Sequence, residues 1–213
     1  PRAFTEQEGR IYTALIDQAG VAVDNRLLLH QTEMTLTQIE RLYEASRIIN
    51  TAQSIPDLVR AVVTTFDDER LDYALSLLEG DPDADGWPTS ERLAVVTHAG
   101  EVYEQDLVFG LRLPADLPLR REPLVLDADA PAWPLAQHLW AEGARYRAAF
   151  PLFSANRPVA IFYALAGGAY TMPAEDYEVY SALAGQMSTV LQNRRLFRAV
   201  ESERQTLHSI LST

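Results

Sequence analysis

Four histidines are the residues with the clearest potential for metal chemistry in this sequence, and their spacing does not favour it. His30, His98, His138 and His208 form no His-x-x-His or His-x3-His pair. His30 and His208 are expected on solvated helices. The absence of cysteine excludes disulfides, thiolate catalysis and metal sites built on thiolates. We therefore expect no metal site.

Catalytic motifs are equally scarce. The acidic segment that follows Gly80 alternates aspartates like a cation-binding loop, but Arg92 stands where the closing glutamate of such a loop is needed. A solvated turn is the better interpretation. The sequence has no Gly-x-Ser-x-Gly motif, no P-loop and no nucleophile with a partner base. We expect no enzymatic activity and no catalytic residues in this chain.

Composition and charge limit the classes of partner. The net charge is −12 and every basic residue is arginine. So acidic a surface repels phosphate backbones, which argues against nucleic-acid binding. No apolar run approaches the ~20 residues that span a bilayer, and no signal peptide is evident, so we expect a cytoplasmic protein. Because the chain begins with Pro1, we also expect it to be part of a longer protein.

Helical patterns occupy both ends of the chain. Apolar spacing predicts one long helix over about 5–53, either continuous or kinked near 30–35. Ser54 is a plausible N-cap for a second helix that should end near 69–70. A final helix is predicted from about 173 to the C-terminus.

The middle of the chain has the period of strands rather than helices. A polar turn between two apolar runs predicts a hairpin, while 102–103 and 107–109 favour either a short strand or a loop. A short helix is expected over 132–143. The strand candidates are 73–78, 92–98, 123–126, 147–153 and 159–165. Short strands without regular helical crossovers predict an α+β domain with an antiparallel sheet of about five to six strands.

One phrase occurs twice. YTALIDQAGVAVDNRLL begins at Tyr12 and YSALAGQMSTVLQNRRL begins at Tyr180. Between the copies, Tyr, Ala, Leu, Gln, Asn, Arg and Leu recur in register. The two stretches are either equivalent helices of tandem modules or amphipathic helices that share a composition, and the matched Tyr, Asn and Arg favour tandem modules.

The order and spacing of several phrases resemble a GAF domain, a small-molecule sensor module of bacterial signalling proteins. The opening helix LYEASRIINTAQSIPDLVRAVVTTF, the hairpin RAAFPLFSANRPVAIFYALAG and the closing phrase YTMPAEDYEVYSALAGQMSTVLQNRRLF carry the likeness. The resemblance implies a GAF-like fold over 36–197. It implies that 1–35 is the exit helix of a preceding GAF-like module, and that 198–213 is a signalling helix.

The final phrase SERQTLHSILST resembles the segment that leads into a PAS domain, and His208 lacks the residues of a kinase phosphoacceptor box. We therefore expect an internal part of a sensor protein, such as a histidine kinase or a cyclic-dinucleotide enzyme.

Ligands of GAF domains bind between the sheet and the segment that covers it, which here corresponds to 107–146. The resemblance therefore implies an unknown small molecule as ligand. The candidate ligand-binding residues are Phe109, Trp133, Gln137, His138, Trp140 and Tyr146. The alternative is that these aromatic residues only fill the core beneath the cover.

The family's known cofactors fit less well. Without lysine the cyclic-nucleotide signature is incomplete, and without cysteine a bilin cannot be linked. A haem would need His138 or His98 beside a large apolar cavity.

The terminal helices provide a second function class, partner binding. Apolar residues recur on both at spacings that suit a parallel two-helix coiled coil. These candidate dimer and relay residues are Leu28, Leu36, Ile39, Tyr43, Leu196, Val200, Leu207 and Ile210. The same pattern also suits a helix that packs on its own domain. We favour a parallel homodimer, with neighbouring domains of the same chain as further partners and signal relay through the helices.

Overall fold

The computed structural model describes residues 6–66, 68–82, 87–111, 124–126 and 134–211. It divides into two compact units, Pro1–Arg41 and Leu42–Thr213. The described part of the first unit is entirely helical. Among the described residues, no helix is long and apolar enough to cross a membrane.

The described residues form four helices. Helix α1 is one continuous element from Glu6 to Thr51. Helix α2 covers Ile55–Phe66, and Ser54 Oγ accepts a hydrogen bond from the Asp57 amide at 3.2 Å, as expected for an N-cap. Helix α2 ends earlier than predicted, since Asp68 already accepts the Arg70 amide in a tight turn. Helices α3 and α4 cover Pro134–Ala141 and Ala174–Leu211.

In the described part of the chain, six strands form one sheet in the order β3-β2-β1-β6-β5-β4, and every neighbouring pair is antiparallel. This confirms the predicted α+β class and the expected number of strands. The strands are β1 (Asp72–Pro82), β2 (Pro88–His98), β3 (Glu101–Gly110), β4 (Leu124–Leu126), β5 (Tyr146–Ser154) and β6 (Arg157–Ala166).

Strand β3 is a full strand, although the sequence favoured a short strand or a loop there. It pairs with β2 along its whole length. The pairing starts at His98 with Glu101, next to the turn, and ends at Ser90 with Gly110. The turn before it places Gly100 at a φ of 80°, a conformation that glycine adopts without steric cost. Long-range pairing therefore extends a segment whose own apolar pattern is weak.

Alternation along the strands gives the sheet two different faces. On the face that we name the helix face, the strands pack against the end of α1, against α2 and against α4. On the opposite face, named the cover face, they pack against α3. Adjacent residues such as Phe162 and Tyr163 lie on opposite faces.

Candidate functional site

A buried polar cluster lies on the cover face. The Glu91 side chain on β2 is fully buried, and its Oε1 accepts hydrogen bonds from Ser76 Oγ at 2.5 Å and from Tyr163 Oη at 2.6 Å. Ser76 is on β1, which lies between β2 and β6, so the Tyr163 side chain reaches across one strand to Glu91. A buried carboxyl group held by two hydroxyl donors has a fixed orientation, and such a group can bind a polar partner.

Arg147 adds a buried guanidinium group to this face. It lies on β5, is 1% exposed, and donates from Nη1 to the carbonyl oxygen of Ala136 at 2.7 Å. Burial lowers the pKa of its guanidinium, with Arg145 acting in the same direction and Tyr163 opposing. Arginine nevertheless stays protonated in proteins. Arg147 therefore holds α3 to the sheet through a charge-assisted hydrogen bond.

Two of the residues predicted for the ligand site come together here. Phe109 on β3 is the register partner of Glu91, and its ring centroid lies 5.3 Å from that of His138 on α3. Both side chains are partly buried. The sheet and α3 thus place an aromatic pair beside the Glu91 cluster.

The remaining predicted ligand residues are less informative. Gln137 is exposed on α3. Trp133 lies outside the described residues, as do the side chains of Trp140 and Tyr146, whose backbones belong to α3 and β5. The side chain of His98 is 82% exposed, so it lacks the burial that a haem ligand requires. Within the described residues, no group of three His, Asp or Glu side chains is arranged to hold a metal ion.

Sequence reasoning missed four buried residues with polar side chains on the cover face, namely Ser76, Glu91, Arg147 and Tyr163. The alternation of inward and outward residues along a strand could have indicated their burial. Each lies two residues from a buried apolar residue and therefore on the same face; these neighbours are Ala74, Leu93, Ala149 and Leu165. A polar residue at an inward strand position must be satisfied inside the protein. The pattern alone does not reveal which partner satisfies it.

The helix face directly behind this cluster contains a neutral aromatic network. Tyr180 of α4 stacks on Phe66 with ring centroids 4.0 Å apart, and its hydroxyl lies 2.7 Å from that of Tyr73. Phe150 and Phe162 complete the surroundings at 5.6 and 6.3 Å from Tyr180. Burial raises the pKa of both tyrosines, so both stay protonated at physiological pH.

The predicted dimer residues of the described chain are exposed. On α1 these are Leu28, Leu36, Ile39 and Tyr43, and on α4 it is Leu196. The side chains of Val200, Leu207 and Ile210 lie outside the description. Their role in dimerisation stays a prediction.

Several solved structures share this architecture. The GAF domain of a phosphoenolpyruvate-protein phosphotransferase from Coxiella burnetii matches with a TM-score of 0.55 at 16% identity, covering 77% of this chain and 98% of that chain. The phycoerythrobilin-bound GAF domain from a cyanobacterial phytochrome matches with a TM-score of 0.52 at 13% identity, covering 77% and 99%.

A GAF domain of a two-component sensor histidine kinase from Bacillus halodurans matches with a TM-score of 0.50 at 14% identity, covering 68% and 99%. No family model and no curated protein matches the chain by sequence. The strand order and these likenesses define the class: the chain contains a domain with the GAF fold. The fold predicted from the sequence is thereby confirmed.

Proposed function

We propose that this chain is a sensory module that binds a small molecule on the cover face and passes the change to α4. The proposal rests on one observation: two adjacent residues of β6 make contacts on opposite faces of the sheet. Tyr163 donates to Glu91 on the cover face, and Phe162 packs beside Tyr180 of α4 on the helix face. A shift of β6 at the ligand site therefore acts on α4 through the neighbouring residue.

The chemistry of the site defines the kind of ligand. Glu91 supplies a buried carboxyl group, Ser76 and Tyr163 supply hydroxyls, and Phe109 with His138 supplies aromatic surface. These groups suit a small molecule with a flat apolar body and a hydrogen-bond donor that reaches Glu91. Helix α3 covers this surface, and its hydrogen bond from Arg147 makes it the element that a ligand displaces or tightens.

The sensory role is supported by the names of the similar structures, which come from a sensor histidine kinase, a phytochrome and a phosphotransferase. In our proposal, the signal leaves the domain as a shift of its helices. Ala45 and Ile49 of α1 are buried in the same core as Leu183 of α4, and Arg194 of α4 donates to the carbonyl oxygen of Ala52. Because packed helices switch between discrete arrangements, a shift of α4 changes the end of α1 as well.

A second copy of the chain is the partner that we propose for the exposed stripe of α1. At about 3.6 residues per turn, its apolar residues fall on one side of the helix. The stripe consists of Val21, Leu28, Leu36, Ile39 and Tyr43, all exposed. A narrow stripe of this kind suits two parallel helices, which would carry the relayed change to the neighbouring domains.

The ligand proposal is tested by thermal shift with a library of small aromatic and heterocyclic compounds. At least one compound should raise the melting temperature, and Glu91→Gln should abolish the rise. Glu79→Gln is the matched control, because Glu79 lies on the same sheet but pairs with Arg92 at the partly exposed end. The proposal is wrong if no compound stabilises the protein, or if both variants respond alike.

The dimer proposal is tested separately by analytical ultracentrifugation. Leu36→Asp should convert the dimer into monomers, because it places a charge in the apolar seam. The control Thr37→Asp adds the same charge to the next residue, which is exposed on another side of α1. A monomeric wild-type chain would contradict the proposal, as would equal effects of the two substitutions.

A purely structural relay without a ligand is the second candidate function. It is favoured by the packing beneath α3, where Leu135, Ala136 and Leu139 are almost fully buried against the sheet. In that case the dimer forms and its disruption by Leu36→Asp is retained, while the thermal-shift screen finds no compound.

A further inference from the structure

The two copies of the repeated phrase form helices in opposite environments. On α4, the phrase presents an apolar side that is buried on the helix face of the sheet. The buried residues of this side are Tyr180, Leu183, Ala184 and Met187. The residues in register on α1 are equally apolar but are all exposed. These are Tyr12, Leu15, Ile16 and Ala19, followed by Val23 in register with Leu191.

On the side opposite to these positions, the copies agree at one apolar pair, Leu196 and Leu28. Thr189 and Leu196 of α4 point away from the sheet and are exposed, and their counterparts on α1 are Val21 and Leu28. The likeness therefore extends beyond composition. Both helices have one broad apolar side and a second side suited to other contacts.

The breadth of the apolar side on α1 indicates what covers it. Tyr12, Leu15, Ile16, Ala19 and Val23 follow the i, i+3, i+4, i+7 pattern of a helix that packs on a domain surface. A two-helix coiled coil uses a narrower seam. At about 3.6 residues per turn, these residues lie opposite Val21 and Leu28, so a second copy on that stripe leaves this side uncovered.

We propose that residues 12–23 of α1 dock on the sheet of a second GAF-fold domain that precedes α1 in the full-length protein. The interface has a template within this chain, the packing of α4 on β5 and β6. Tyr12 then inserts beside aromatic residues and pairs its hydroxyl with a buried partner, as Tyr180 does with Tyr73. Arg26 donates to a backbone carbonyl at the end of that domain's first helix, as Arg194 does to Ala52.

One contact of the template has no counterpart. Ser188 Oγ donates to the carbonyl oxygen of Phe153, but the residue in register on α1 is Gly20. The preceding sheet therefore meets α1 at this point without a side-chain hydrogen bond. A Cβ at Gly20 meets no atom within 4 Å in this structure, so Gly20→Ser is accommodated in the helix.

The absence of cysteine from these 213 residues permits a direct test with single thiols. Ile16→Cys places a thiol on the docking side, and Asp24→Cys places one on a side that neither proposed contact covers. In the full-length protein, with any cysteines outside this segment replaced, Ile16→Cys should react with maleimide at least about ten-fold more slowly than Asp24→Cys, because reaction requires local opening. In the 213-residue chain the two should react at similar rates.

The same labelling distinguishes the docked sheet from a homodimer. Val21→Cys reports on the stripe proposed for dimerisation and should cross-link two copies, whereas Ile16→Cys should not. If Val21→Cys forms no cross-link while Ile16→Cys stays protected from maleimide, the dimer is refuted but the docking of 12–23 on a sheet is supported. Equal labelling of Ile16→Cys and Asp24→Cys in the full-length protein overturns the inference, and so does a cross-link through Ile16→Cys.

A stability measurement provides a second, independent readout. Leu15→Asp in the full-length protein should lower the melting temperature of the preceding domain and leave that of the Leu42–Thr213 unit unchanged. Leu183→Asp, in register on α4, should do the reverse. If Leu15→Asp leaves every transition unchanged, residues 12–23 are not docked.

Discussion

The two faces of the sheet bury different kinds of polar side chain. The helix face buries aromatic rings, among which the neutral hydroxyls of Tyr73 and Tyr180 pair with each other. The cover face instead buries two ionisable side chains, Glu91 and Arg147, among apolar residues. Desolvating a charge costs more than its hydrogen bonds usually return, so packing alone does not favour the cover-face arrangement.

In the function that we propose, this difference separates stability from ligand binding in the fold. A neutral network does not change its charge with pH or with a ligand, and it holds α4 to the sheet. Buried charged groups in a covered site are the features that binding sites retain at a cost in stability. Substitutions on the two faces should therefore differ in kind, and the following experiments test this difference.

The largest effect is expected on the helix face. Phe162→Ala should lower the free energy of unfolding by about 3–5 kcal/mol, because the ring is buried among Phe150, Tyr73 and Tyr180 and its removal leaves a cavity. Urea denaturation measures the change. Ile161→Ala, at the adjacent residue on the cover face, should cost less, near the lower end of about 2–5 kcal/mol. A larger loss of stability for Ile161→Ala than for Phe162→Ala would contradict the proposed difference between the faces.

The second effect concerns the buried carboxylate. Tyr163→Phe keeps the ring but removes a hydroxyl donor from Glu91, which should cost about 1–3 kcal/mol because the buried carboxyl group loses a hydrogen bond. Tyr103→Phe, at a half-exposed tyrosine of β3, should change stability by no more than about 0.5 kcal/mol. Equal values for the two variants would show that the cluster does not depend on this hydroxyl.

A smaller effect is expected from the hydroxyl pair on the helix face. Tyr73→Phe or Tyr180→Phe alone should cost about 1 kcal/mol, because each leaves one buried hydroxyl without its partner. The double variant should cost less than the two single variants together, since both hydroxyls are then gone. A double-mutant cycle by thermal or urea unfolding measures the coupling, and strict additivity would argue against the pair.

The smallest effect belongs to an ion pair at the edge of the helix face. Asp68 accepts hydrogen bonds from Arg70 and Tyr170, and above all the bond from Arg70 lowers the pKa of its carboxyl group below 3.8. Because Arg70 is largely exposed, Asp68→Asn should cost less than about 1 kcal/mol at neutral pH. The unfolded state binds a proton first as pH falls, so the difference from wild type should shrink below pH 3.8. A difference that grows on acidification would contradict this assignment.

The local elements were largely predictable because their signals are local. The end of α1, the N-cap at Ser54 and the hairpin of β5 and β6 follow from spacing and turn residues. The full length of β3 was not predictable in the same way. Its residues are mostly exposed, and pairing with β2 rather than an apolar pattern makes it a strand.

The candidate site was predictable only in part. The resemblance selected Phe109 and His138, and their rings do meet on the cover face; that a ligand binds there stays a prediction. It missed Glu91 and Arg147, because a charged residue in a strand is normally expected on the solvent side. Their burial depends on strand order and on α3, which neighbours in sequence do not reveal.

By itself, the sequence determined the fold class, the helices at both ends and the repeat that links Tyr12 with Tyr180. These features depend on periodicity and residue type, which the chain displays directly. Only the tertiary structure decided that one copy of the repeat is buried and the other exposed. It also brought Ser76, Glu91 and Tyr163 together from three strands. Contacts between residues distant in sequence depend on how strands pair, and strand pairing is a property of the whole sheet.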